Sequence, residues 1–121
     1  MVPLGQEVIL GVVQDPQFGP VMMFGSGGTE VEGLKDLSFS LAPVTEIEID
    51  TMLQKTWAGR KLEGYRNIPP ADIKALRDIM VRLGQLANDF PQFAEIEINP
   101  LRIFPEGKGA AAVDVRVSLE F

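Results

Sequence analysis

The segment Ala94-Glu95-Ile96-Glu97-Ile98-Asn99 alternates strictly between apolar and polar residues. Val113, Val115 and Val117 repeat that period beyond the turn residues Pro105-Glu106-Gly107-Lys108. A period of two sends successive side chains to opposite faces of a strand. Two such runs joined by a short Gly/Pro turn predict an antiparallel hairpin with one buried and one wet face. If the loop is Pro105 to Lys108, Phe104 pairs with Gly109, Asn99 falls opposite Asp114, and Glu97 falls opposite Arg116. Ile96 and Ile98 then face the core, while Glu97 and Asn99 project together from the other face, roughly 7 Å apart along the strand. Pro100 conflicts with a regular strand, because it has no N–H to donate and because Leu101 and Ile103 would share the polar face. A bulge at Asn99-Pro100 explains both points and is able to shift the pairing by one residue.

The rest of the chain supplies what such a hairpin packs against. Val8-Ile9-Leu10-Gly11-Val12-Val13 reads as a strand closed by Gln14-Asp15-Pro16, and Val21 to Phe24 as a second one after Phe18-Gly19-Pro20. A third strand-like run extends from Thr29 towards Leu41, after the tetrad Gly25-Ser26-Gly27-Gly28. Thr45-Glu46-Ile47-Glu48 is a capping box, and Ile49, Met52 and Leu53 give the helix it opens an apolar stripe ending near Gly59. Pro69-Pro70 precedes a longer helix, about Ala71 to Asn88, whose Ile73, Leu76, Ile79, Met80, Leu83 and Leu86 share one face. Asp89-Phe90-Pro91 stops it. The predicted class is α+β: an antiparallel β-sheet with two helices on one face, in a single domain over residues 1–121.

Composition removes several functions. Eleven Lys and Arg against seventeen Asp and Glu leave a net charge of −6, which argues against binding nucleic acid. The chain has no Cys, hence no disulfide or thiolate metal site, and no His, the usual acid–base residue near neutral pH. No apolar run reaches the roughly 20 residues that span a bilayer, and residues 1–5 lack a signal peptide's basic start, so a cytoplasmic location is expected.

Two places are suited to chemistry. Glu97, Asn99 and Asp114 form an oxygen cluster of two carboxylates and an amide, a donor set that suits Mg²⁺; the alternative is a surface ion pair between Glu97 and Arg116 beside a bend at Asn99. Gly27 and Gly28 let the backbone approach a phosphate, but the segment has no Walker pattern, and on local grounds a hairpin turn is the favoured reading. Lys35-Asp36 reads as a ligand contact or an exposed ion pair at a strand end, and Met22-Met23 as strand filling. Trp57, Phe90 and Phe93 are expected to pack against the core. Arg66, in Leu62-Glu63-Gly64-Tyr65-Arg66, either clamps a phosphate or holds a carboxylate of its own fold.

Taken in order, Gly5-Gln6-Glu7-Val8-Ile9-Leu10-Gly11-Val12, Asp15-Pro16-Gln17-Phe18-Gly19-Pro20-Val21, Gly27-Gly28 to Lys35-Asp36, Leu62-Glu63-Gly64-Tyr65-Arg66, Asp89-Phe90-Pro91, Glu97-Ile98-Asn99-Pro100-Leu101 and Val113-Asp114 resemble one family over nearly the whole chain. It is the C-terminal ATP-grasp lobe of NDP-forming acyl-CoA synthetases, related to succinyl-CoA synthetase. The resemblance implies a ligase that couples acyl-CoA thioester cleavage to ATP formation through a phosphohistidine. It assigns Mg²⁺ to Asn99 and Asp114, with Glu97 in support, and the transferred phosphoryl group of ATP/ADP to Gly27 and Gly28. No catalytic side chain is assigned within the chain. Ser26, Gly33 and Asn67 depart from the family's usual residues. The phosphohistidine, the ATP-grasp N-terminal lobe, and the CoA and carboxylic acid sites belong to other domains or subunits, so this chain alone is expected to be inactive. A second implied reading is a regulatory ATP-grasp-like module of a protein acetyltransferase fusion, binding CoA or nucleotide without ligase turnover.

Overall fold

A computed structural model describes residues 5–26 and 36–120. Their elements run β1 (Gln6–Asp15), β2 (Gly19–Ser26), β3 (Leu37–Leu41), α1 (Glu46–Lys55), α2 (Trp57–Lys61), α3 (Ile73–Asp89), β4 (Phe93–Ile103), β5 (Ala110–Ala112) and β6 (Val115–Leu119). The strands form one antiparallel sheet in the order β3-β2-β1-β4-β5, and β6 continues along the same edge of β4.

Alternation decides which face is buried. Val8, Leu10 and Val12 of β1, Met22 and Phe24 of β2, and Ile96 and Ile98 of β4 all point to the helices. There they meet Ile49, Met52 and Leu53 of α1, Ala58 of α2, and Leu76, Met80, Leu83 and Ala87 of α3. Each large side chain fully buried here contributes roughly 1.5–3 kcal/mol. The Met pair divides accordingly, with Met22 in the core and Met23 on the open face.

The bulge expected at Asn99-Pro100 is present, but towards β1 rather than within the hairpin. Val8 pairs with Leu101 and Leu10 with Ile98, so Asn99 and Pro100 together oppose Ile9. The extra residue exchanges the faces of β4, and Leu101 and Ile103 therefore return to the core beside Ile96 and Ile98. On the other edge the register shifts only at the start of β4, between Phe93 and Glu95, and then holds through the hairpin: Glu97 pairs with Arg116, and Phe104 N–H bonds to the Gly109 carbonyl at 2.9 Å. The single strand expected over Ala110 to Leu119 is interrupted at Val113-Asp114, opposite Asn99-Pro100, where Pro100 has no N–H to continue the ladder.

The helices differ from expectation in number. There are three among the described residues rather than two, because Thr56 divides the first. Its buried hydroxyl donates to the Met52 carbonyl at 3.0 Å and accepts from Gly59 N–H at 3.1 Å, closing α1 and capping α2. The capping box at the start of α1 forms as read, with Thr45 N–H donating to Glu48 at 2.8 Å. Helix α3 begins at Ile73 instead of Ala71, since Asp72 is the N-cap and accepts from Ala75 N–H at 3.1 Å. Trp57 and Phe90, expected in the core, are 42% and 46% exposed, and of the three aromatics only Phe93 packs against it. Trp57 opens α2 at the surface and Phe90 caps α3, so neither helix can turn them inward. Among the described residues no helix is long and apolar enough to cross a membrane.

Candidate functional site

The face of the sheet turned away from the helices carries the site. Its polar part is a concavity of about 130 Å³ lined by Glu97, Asn99, Asp114 and Arg116. The β4–β6 ladder builds it. Asn99 N–H donates to the Asp114 carbonyl at 2.9 Å, which sets the two residues opposite each other, and Glu97 sits one pleat away beside Arg116. Among the described residues Glu97 and Arg116 form no ion pair within 4.0 Å, so the surface-pair alternative is not what this face shows. Nor do the side-chain oxygens of Glu97, Asn99 and Asp114 accept any side-chain hydrogen bond there. Three uncommitted oxygen donors therefore line one polar hollow.

That donor set fits Mg²⁺, which usually takes one or two carboxylates and completes its shell with water and phosphate oxygens. It does not form an all-protein cage, since no group of three His, Cys, Asp or Glu side chains able to hold a metal occurs among the described residues.

Directly beside the polar hollow lies an apolar one. Gly11, Val13, Val21, Met23 and Phe39 line a concavity of about 190 Å³ that reaches Glu95 and Glu97 at its polar edge. The register explains this layout, because Phe39 pairs with Met23, Met23 with Gly11, and Gly11 with Glu97, in one row across the sheet. Sequence reading missed this surface. Its signal is that both alternating sets in β1 and β2 are largely apolar and that the apolar set of β3, with Phe39 and Leu41, is the exposed one, which a sheet open on one face does not need.

Gly27 and Gly28 lie outside the described residues; Ser26 and Asp36, which flank residues 27–35 in the chain, are bonded to each other. Ser26 N–H donates to the Asp36 carbonyl at 3.0 Å, and the Ser26 hydroxyl donates to the Asp36 carboxylate at 2.6 Å. The same carboxylate accepts from Trp57 N–H at 2.7 Å and Ala58 N–H at 2.8 Å, at the start of α2. Asp36 is thus an anchor between strand ends and helix, rather than a free strand-end charge. Burial works to raise its pKa, but the hydrogen bonds from Ser26, Ala58 and Trp57, with the nearby Arg60, outweigh it and hold the group below its ordinary value. Asp72 is lowered as well, by the N–H groups of Ala75 and Gly109. Depressed carboxylates contribute stability above their unfolded pKa of about 4, and lose it as pH falls through the folded value. Urea unfolding should therefore weaken in the acid arm below about pH 4, and Asp36→Asn should flatten that arm while lowering stability at pH 7.

The ATP-grasp domain family matches residues 1–119 of this chain. The beta subunit of acetate–CoA ligase [ADP-forming] I from Pyrococcus furiosus is 49% identical over 98% of the chain and 50% of that subunit. The 4-hydroxybutyrate–CoA ligase [ADP-forming] of Nitrosopumilus maritimus is 44% identical over 98% of the chain and 17% of that protein. Among solved structures, the dinucleotide-forming acetyl-coenzyme A synthetase 1 of Ca. Korarchaeum cryptofilum, in complex with coenzyme A and Mg-AMPPCP, superposes with a TM-score of 0.88. Identity there is 38%, covering 99% of this chain and 55% of that one. The chain thus spans about half, or less, of the length of the relatives it matches. With the sheet, the helices and nearly every residue accounted for in these alignments, the chain belongs to the ATP-grasp domain family, and the relatives it matches are ADP-forming CoA ligases.

Proposed function

We propose that this chain is the C-terminal lobe, one domain over residues 1–121, that supplies the nucleotide and Mg²⁺ half-site of an ADP-forming acyl-CoA synthetase. The observation that carries the reading is the placement of Asn99 directly opposite Asp114, at the edge of an apolar hollow on the open sheet face. Asn99 and Asp114 would hold the cation through the amide oxygen and the carboxylate, with Glu97 in support from the neighbouring pleat. When bound, Mg²⁺ offsets negative charge on the phosphoryl group in transfer. The chain's own contribution is positional. The ladder between β4 and β6 fixes the two ligand-bearing residues before any ligand arrives, which is the form of preorganisation that favours charge development. Val13, Val21, Met23 and Phe39 offer an apolar hollow to the nucleotide base. Gly27 and Gly28 are assigned the approach to the phosphoryl group, and the flanking Ser26 and Asp36 are bonded to each other.

The rest of the reaction lies on other domains or subunits. A chain without His provides no phosphohistidine. That residue, the CoA and carboxylic acid sites, and the opposing ATP-grasp lobe come from the remainder of a cytoplasmic enzyme, and this lobe alone does not turn over. Asn99→Ala in the whole synthetase is the test, read as ATP formed from acyl-CoA, ADP and phosphate. A loss of about a hundredfold or more is expected, and a wild-type rate would remove Asn99 from the metal site.

A further inference from the structure

The face that carries Asn99 and Asp114 leaves one surface of the chain unexplained, the segment 55–66. It holds Lys55, Arg60, Lys61 and Arg66 against the single acid Glu63, in a chain whose net charge is −6. The partners of these cations are unusual. Arg77 is held by Glu46 and Asp50, Arg82 by Asp78, and Arg102 by Glu7. By contrast, the Arg60 guanidinium lies 5.8 Å and the Lys61 ammonium 6.0 Å from the centre of the Trp57 ring, and Arg66 lies 5.0 Å from that of Tyr65. The two rings meet edge-on at 5.0 Å, so the three cations sit around one aromatic pair. No described carboxylate lies within 4.0 Å of any of the three, and the nearby Asp36, whose charge Arg60 favours, is already bonded to Ser26, Trp57 and Ala58. Carboxylates are not scarce in a chain with seventeen of them. A guanidinium resting on a ring is held in place; Arg60 also donates its Nε–H to the Thr56 carbonyl at 3.3 Å, which leaves its terminal N–H groups, and those of Arg66, to meet a tetrahedral anion.

Arg66 adds a second, independent sign. It occupies the first central position of the turn Tyr65–Ile68 with φ 53°, a left-handed conformation that a long side chain adopts only at a cost. The turn holds it at the rim of an open concavity of about 430 Å³ shared with Gly64, Tyr65, Ile68 and one acid, Glu63. Through Trp57 N–H and Asp36 the patch is tied to the end of β2.

We infer that Trp57, Tyr65, Arg60, Lys61 and Arg66 form a phosphoryl-binding site outside the Asn99/Asp114 cluster. Inorganic phosphate, a nucleoside diphosphate and coenzyme A share the group it recognises. Trp57 is the chain's one tryptophan, so its emission reports on the site directly. The chain is titrated with inorganic phosphate, ADP and CoA in EDTA, against acetate and KCl at matched ionic strength. Saturable changes are expected with the phosphate-bearing ligands and none with the controls. A response already complete with inorganic phosphate identifies the free anion as ligand, whereas tighter binding of ADP or CoA adds the base against Trp57. Arg60→Gln/Arg66→Gln should weaken binding at least about tenfold with an unchanged circular dichroism spectrum, and Glu63→Gln should tighten it. Equal responses to acetate, unaltered affinity in the double variant, or binding of a Glu-rich peptide but of none of the phosphates would overturn the inference. Because EDTA removes divalent cations, failure of the metal assignment leaves this result unaffected.

Discussion

Asp114→Ala in the whole synthetase is expected to lower acyl-CoA-dependent ATP formation by about a hundredfold or more, with the lobe still fully folded. Two structural facts separate these effects. Asp114 is exposed, and among the described residues its carboxylate accepts no side-chain hydrogen bond, so removing it should alter stability by no more than about 0.5 kcal/mol. Its backbone carbonyl, which receives Asn99 N–H at 2.9 Å, survives the substitution and keeps Asn99 in register. The loss should therefore appear in turnover and metal dependence, and not in the melting curve. Glu97→Gln should cost less, about tenfold, because Glu97 stands one pleat away from the proposed ligand pair and would act through it. A variant lacking the Asp114 carboxylate that keeps wild-type turnover, or one that unfolds, would contradict the assignment.

Gly59→Ala should destabilise the chain by about 2–3 kcal/mol, although helix propensity alone predicts a gain of about 1 kcal/mol from the same change. Close approach decides the sign. Gly59 is buried in α2, and a methyl group there would overlap the backbone of Leu53, in the last turns of α1. Backbone cannot swing aside as a side chain does, so α1 and α2 would have to separate. That would also break the Thr56 bridge between Met52 and Gly59. Urea unfolding at pH 7 measures the difference, and an equally stable or more stable variant would show that the helix pair is looser than described.

The sequence was most informative where two independent patterns agreed. The alternation in β4 and the turn after Phe104 together specified the hairpin register, and with it the meeting of Asn99 and Asp114. Pro100 announced the bulge, because Leu101 and Ile103 had no other route into the core. What stayed hidden depended on long-range contact. Nothing local shows that Thr56 ends one helix and begins another, since a buried Thr and an exposed one read alike. Asp36 looked like a strand-end charge because the N–H groups it accepts belong to Trp57 and Ala58, distant in the chain. Trp57 and Phe90 were assigned inward on residue type, whereas helix ends placed them at the surface. The apolar hollow on the open face needed three strands in register before Val13, Met23 and Phe39 became neighbours.

The central claim is that one divalent cation is shared by the side chains of Asn99 and Asp114. Mn²⁺, a paramagnetic stand-in for Mg²⁺, can be added with ADP to the isotopically labelled chain while its amide resonances are followed. The account predicts that the signals of Glu97, Ile98, Asn99, Asp114 and Val115 broaden first and recover with excess Mg²⁺, and that this selectivity disappears in Asp114→Ala. Broadening centred elsewhere, or unchanged in that variant, would contradict it.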